Sequence, residues 1–146
     1  MGIFKKIFGD ENDVPDYYRE GLELLKVGKY HEALTSLRLA LRSTPGDMAV
    51  MQQIAITYTR IGMTEEAAKT YRQVLAADPN ASGAHYGLAF LLLRDGQNAE
   101  AEQHLRQFLQ GAPSGPEAAK HVAHARETLA ELKRSAAGTG EVVENG

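Results

Sequence analysis

Apolar side chains recur along this chain at three- and four-residue spacing, and short turn signals interrupt them. Tyr17, Leu24 and Leu25 lie on one face around a small Gly21. Tyr30, Ala33, Leu34, Leu37, Ala40 and Leu41 form the next stripe. Such spacing predicts amphipathic helices, each with one face toward a core. No strand-like alternation competes with it. The first pattern ends just before Gly28, and the second begins at Tyr30. With so short a connection, the two helices must pack antiparallel.

The same pattern returns with a period of 34 residues. Gly28, Gly62 and Gly96 share that period, as do Ala33, Ala67 and Ala101, and Pro45, Pro79 and Pro113. A fixed period of this size means stacked supersecondary units. The glycines fall where a helix ends and a left-handed backbone is needed. Thr64 and Asn98 are placed to cap the following helices, and Glu65 and Glu66 suit a positive helix end. The prolines close each unit. Gly21, Ala55 and Ala89 mark positions where two helix backbones approach closely.

These residues resemble the tetratricopeptide repeat. Its signature is an aromatic, then Leu-Gly, then Tyr, and later Ala, Phe, Ala and Pro. The first unit carries Tyr17, Gly21, Leu24, Gly28, Tyr30, Ala33, Leu37, Ala40 and Pro45. The second carries Met51, Ile54, Ala55, Tyr58, Gly62, Ala67, Tyr71, Val74 and Pro79. The third carries His85, Leu88, Ala89, Leu92, Gly96, Ala101, Leu105, Phe108 and Pro113. The resemblance implies an all-α fold: a right-handed α-solenoid of three helix-turn-helix units, 14–47, 48–81 and 82–115. Glu20 departs from the pattern, standing where Ile54 and Leu88 stand later. That face would meet a preceding repeat, so the charge marks Val14 as the expected start of the array.

Residues 116–134 are expected to form an amphipathic capping helix. Val122, Ala125, Leu129 and Leu132 make its apolar stripe, with Lys120, Glu127, Glu131 and Lys133 opposite. Ser114 and Glu117 match a capping box, with Pro116 in the first turn. Residues 135–146, rich in Ala, Gly, Thr and Glu, are expected to be disordered. Within that tail, Glu141-Val142-Val143-Glu144 combines acidic and apolar character and is one candidate to fill a groove. Residues 1–13 form an amphipathic segment and an acidic linker. Ile3, Phe4, Ile7 and Phe8 share one helical face, and Lys5 and Lys6 the other. This segment is read as docking on an anionic membrane surface, on a partner, or on the first repeat. Two lysines make the membrane contact weak.

The resemblance also implies a concave groove lined by the first helix of each unit. The positions that would face it are Tyr18, Leu22, Leu25 and Lys26, then Gln52, Ile56, Thr59 and Arg60, then Tyr86, Phe90, Leu93 and Arg94. A basic residue ends each row, which also suits a helix C-terminus. The expected partner is a protein or peptide of apolar and acidic character. Relatives that clamp the acidic tail of chaperones use Lys and Asn in the first helix, and Lys and Arg in the third. Tyr18, Leu22, Tyr86 and Phe90 stand there, so that clamp is absent.

Composition narrows the remaining chemistry. The 146-residue chain has no cysteine, which excludes disulfides, thiolate metal sites and a cysteine nucleophile. A net charge of −3 gives no bulk basic excess for nucleic acid. No apolar run is long enough for a secretory signal or a spanning helix, so a cytoplasmic location is expected, with membrane-peripheral docking as a variant. His31, His85, His104, His121 and His124 are read as solvated surface residues, and no metal, cofactor or catalytic constellation is expected. The expected function is a non-enzymatic interaction module: an adaptor, with a self-assembling scaffold or membrane-peripheral recruiter as the alternative.

Overall fold

The computed structural model describes residues 15–145, with side chains through residue 138. Among the described residues there are seven α-helices and no strand. They are α1 (Tyr17–Lys26), α2 (Tyr30–Ser43), α3 (Met48–Ile61), α4 (Thr64–Ala77), α5 (Ser82–Arg94), α6 (Asn98–Gly111) and α7 (Pro116–Asn145). Consecutive helices pack against each other, and α1, α3 and α5 are also neighbours. The architecture is a helical solenoid of three helix pairs followed by α7.

The three turns within the pairs close in the same way. Gly28, Gly62 and Gly96 have φ of 79°, 93° and 76°. The next residue then donates its N–H to a carbonyl five positions back: Lys29 to Leu24, Met63 to Tyr58 and Gln97 to Leu92, at 2.9, 2.9 and 2.8 Å. This is the six-to-one bond of a Schellman turn, and it requires a left-handed residue. The turn leaves one residue before the next helix. Met63 and Gln97 therefore hold the cap positions, without a side-chain cap bond. Thr64 and Asn98, expected as caps, are instead the first helical residues. Side-chain capping appears instead ahead of α1 and α3, while Ala81 stands at the α5 cap without a side-chain bond. Asp16 accepts from Arg19 N–H, and Asp47 accepts from the N–H groups of Ala49 and Val50.

The repeating small residues sit at the closest contacts. Ala33, Ala55, Ala67, Ala89 and Ala101 are fully buried. A Cβ on Gly21 would lie 2.7 Å from the Leu37 side chain. The core is a row of interfaces in two clusters. One runs from Leu34 and Leu37 through Ile54 and Val74 to Leu88 and Leu92. The other joins Ala89, Leu105 and Phe108 to Ala125 of α7. Because α5 contributes to both, it is apolar almost all round. Glu20 is exposed, whereas Ile54 and Leu88 at the equivalent positions are buried.

Two expectations at the C-terminal end need correcting. Gly115, with φ 125°, precedes Pro116, and its carbonyl accepts from Ala119 N–H. Glycine and an N1 proline thus start the helix, in place of a Ser114 capping box. The helix also continues past 134 to Asn145. No proline interrupts residues 135–145. Gly138 and Gly140 each cost about 1 kcal/mol against Ala, and the helix runs through both.

Candidate peptide-binding groove

Helices α3, α5 and α7 border a cavity of about 790 Å³. Gln52, Ile56, Thr59 and Arg60 of α3 form one wall. Ser82, Gly83, Tyr86, Gly87, Phe90 and Arg94 of α5 form the other. Helical geometry explains the choice: Gln52, Ile56 and Thr59, like Gly83, Gly87 and Phe90, recur at three and four residues and share a face. Tyr71 of α4 and Phe108 of α6 reach in from the second helices, and Glu117, Ala118 and His121 of α7 close one end.

Tyr71 belongs to the floor. It stands where Leu37 and Leu105 stand in the other units, and its longer ring needs room. Gly87 supplies that room. A Cβ on Gly87 would come within 2.5 Å of the Tyr71 hydroxyl. The ring is 4% exposed, and its hydroxyl lies beside the Thr59 side chain. Burial pushes the Tyr71 pKa up to about 12, against a smaller opposing effect of Thr59. The phenol therefore remains a neutral wall element at physiological pH.

The α7 end is aromatic. Tyr86 packs on Phe90, Phe108 and His121 with ring centroids 4.8, 5.0 and 4.8 Å apart. Its hydroxyl is hydrogen-bonded to His124 Nδ1 at 2.7 Å. Phe90 stacks on His124 at 4.5 Å, nearly parallel. Burial raises the pKa of Tyr86. His121 and His124 are exposed, as expected of surface histidines, and their rings also dock α7 on α5. For His85 and His104 the solvated reading is corrected, since the first is buried and the second half-buried. His85 is 8% exposed, and its Nε2–H donates to the Pro79 carbonyl at 2.7 Å. Its Nδ1 is therefore the acceptor for His104 Nδ1–H at 2.9 Å in the neutral pair. Glu100 links this pair to α4 through Arg72 at 2.7 Å. Hydrogen bonding from Arg72 holds the Glu100 carboxyl below the ordinary range.

Of the twelve groove positions expected from sequence, Gln52, Ile56, Thr59, Arg60, Tyr86, Phe90 and Arg94 come together in the cavity. Tyr18, Leu22, Leu25, Lys26 and Leu93 do not line it. Tyr18, Leu25 and Leu93 pack against the first core cluster, and Leu22 is half-buried. Lys26 is exposed and lies 3.8 Å from Glu23 on its own helix. The floor residues Tyr71 and Phe108 were not expected, because they come from second helices. The signal for Tyr71 was the pairing of an oversized residue with a glycine at 87. The docking segment Ile3, Phe4, Lys5, Lys6, Ile7 and Phe8 lies outside the described residues.

Electrostatics divide the rim. Arg60 and Arg94 are exposed at the α3 and α5 C-termini and make no ion pair among the described residues. Glu117 stands at the opposite end. Ile56 is 37% exposed on the wall between them. The cavity thus presents an apolar wall with cations at one end.

The tetratricopeptide repeat family model matches residues 24–80 and 62–125. The chain belongs to the tetratricopeptide repeat family. The molecule is a protein–protein interaction module of the tetratricopeptide repeat type. Solved structures of tetratricopeptide repeat proteins share the fold at low identity. The type III secretion translocator chaperone SycD of Yersinia enterocolitica is 19% identical with a TM-score of 0.76, covering 86% of this chain and 98% of SycD. PcrH of Pseudomonas aeruginosa, bound to the chaperone-binding region of PopD, is 18% identical with a TM-score of 0.73, covering 82% and 90%. The first repeat domain of Spaghetti (RPAP3), bound to the HSP90 peptide SRMEEVD, is 19% identical with a TM-score of 0.66, covering 78% and 90%. No curated protein sequence matches the chain significantly. Among the described residues, no helix is long and apolar enough to cross a membrane.

Proposed function

We propose that this tetratricopeptide repeat protein is a non-enzymatic adaptor that holds an apolar, acidic segment of a partner protein in its concave groove. One observation carries the reading: the roughly 790 Å³ cavity has exposed Ile56 on its wall and two arginines at its rim without ion-pair partners among the described residues. Complexes of SycD with a YopD peptide and of PcrH with PopD support it, since in these proteins the same fold receives a partner segment. Tyr86 and Phe90, which line the groove, stand where a chaperone-tail clamp has Lys and Arg, so the proposed partner is something other than an acidic chaperone tail.

The probe is a pair of fluorescein-labelled 12-residue peptides, one with two leucines and three glutamates, the other with lysines in place of the glutamates. The acidic peptide is expected to bind roughly tenfold more tightly in anisotropy titrations at low salt, since each exposed charge pair contributes up to about 1 kcal/mol. Arg60→Glu/Arg94→Glu should reverse the preference, and Ile56→Asp should weaken both peptides. Both Arg positions and Ile56 are exposed, so these variants are expected to fold. Equal binding of the two peptides, or binding unmoved by all three substitutions, rejects the groove as the site.

A further inference from the structure

We propose that Glu117, in the first turn of α7, is a second charged subsite of the groove. It takes a lysine or arginine of an extended partner segment, about five residues from the carboxylate that Arg60 and Arg94 hold. This rests on reading the groove as the partner site.

The charge layout follows from how α7 lies on α5. Tyr86 meets His121 with ring centroids 4.8 Å apart, and Phe90 stacks on His124 at 4.5 Å. The two helices therefore run side by side in the same direction. One turn before Tyr86 and His121 stand Ser82 and Glu117, so Glu117 lies level with the start of α5. Arg94 ends α5, and Arg60 is in the last turn of α3. All three charged side chains border one cavity, are exposed and make no ion pair among the described residues. Lys120, also near the start of α7, does not line that cavity. The helix dipole accounts for an acid in this turn. It does not account for an acid on the cavity wall at the end opposite two arginines.

The spacing follows from helix geometry. From Ser82 to Arg94 the axis of α5 rises about 18 Å. An extended chain covers that distance in about five residues, whereas a helix needs about twelve. A helix with its side chains is 10–12 Å across, so 18 Å of it fills roughly 1,400–2,000 Å³. The cavity holds about 790 Å³. Gln52 favours the extended form as well. Its amide oxygen would lie 2.8 Å from a Cβ on Gly83, so it rests where the α5 wall carries no side chain. The amide lines the cavity without a hydrogen bond to the described residues. An amide both donates and accepts, matching the free N–H and C=O groups of an extended chain, which a helix uses internally.

The groove thus selects by the order and separation of charges, with apolar residues between them. A segment acidic throughout meets Glu117 with like charge and is disfavoured.

The probes are fluorescein-labelled 16-residue peptides carrying one glutamate, two leucines and one lysine, with the two charges two, five or twelve positions apart. In anisotropy titrations at low salt, the five-position peptide is expected to bind about three- to fivefold more tightly than the other two. Glu117→Lys should remove that advantage, and replacing the lysine of the peptide by glutamate should restore it. Such rescue cannot come from a variant that has failed to fold. Glu117→Gln should bind the five-position peptide no more tightly than one with glutamine in place of lysine. Tightest binding at two or twelve positions overturns the proposal. So does an equal effect of Glu117→Lys on the lysine and glutamine peptides. If Arg60→Glu/Arg94→Glu and Ile56→Asp still weaken binding in that case, the groove remains a partner site and only its second subsite is lost.

Discussion

Gly87 and Tyr71 form the most specific residue-level fit in the groove. A methyl group on Gly87 would overlap the phenol, and both ends of the contact are held by packed helices. Gly87→Ala is expected to cost about 1–3 kcal/mol, the usual range for overpacking. In a Tyr71→Leu background the same change should cost well under half as much, because Leu is the residue at the equivalent positions 37 and 105. Thermal unfolding of the four proteins in a double-mutant cycle measures this coupling. The His85–His104 pair predicts a pH dependence. Burial, then the charge of His85, lowers the pKa of His104 below 6.5, against the opposing pull of Glu100. With the folded pKa lowered, the unfolded chain binds more protons as pH falls through 6.5. The stability from this group is therefore present above 6.5 and lost below it. Arg72, Glu100 and the Pro79 carbonyl surround the pair. Melting temperatures from pH 7.5 to pH 5 should fall less steeply for His104→Gln than for wild type.

At the scale of elements, the two kinds of connection use different chemistry. The turns within pairs rely on left-handed glycine and leave no place for a capping side chain. The connection between the first and second units leaves room, and Asp47 uses it, as Asp16 does ahead of α1. Asp47→Ala is expected to cost about 1 kcal/mol, the ordinary value for an N-cap. Thr64→Ala should change stability by no more than a few tenths, since Thr64 is inside the helix and caps nothing. Denaturant titrations of the two variants separate these outcomes. The sequence pattern locates both helices and both turns to within a residue or two. It misassigns the cap at 63–64 because threonine is a favoured cap residue wherever it occurs. Only the six-to-one bond from Met63 to Tyr58 reveals that the turn is already complete.

The whole molecule behaves as a row of neighbouring interfaces, and its stability should vary along that row. Phe108 belongs to the cluster that joins the third pair to α7, and it contacts Tyr86 at the groove. Phe108→Ala is expected to cost about 3–5 kcal/mol. Hydrogen exchange should speed up most in α5–α7, with smaller effects in α1 and α2. A uniform rise across all seven helices would show that the array unfolds as a single unit.

The repeat, the helical class and seven of the cavity-lining positions were legible in the sequence. They depend on local periodicity: a 34-residue period, a glycine at each turn and one small residue at each close contact. What only the tertiary structure decided depends on distance between elements. Tyr71 and Phe108 enter the groove from second helices because side chains of different length reach different depths. Leu93 leaves it because its side of α5 faces the first core cluster. His121 and His124 become docking residues because α7 lies across Tyr86 and Phe90. Helical spacing assigns a residue to a face of its own helix. Which neighbour covers that face depends on the packing of α7 and the second helices, and spacing within one helix carries no information about that.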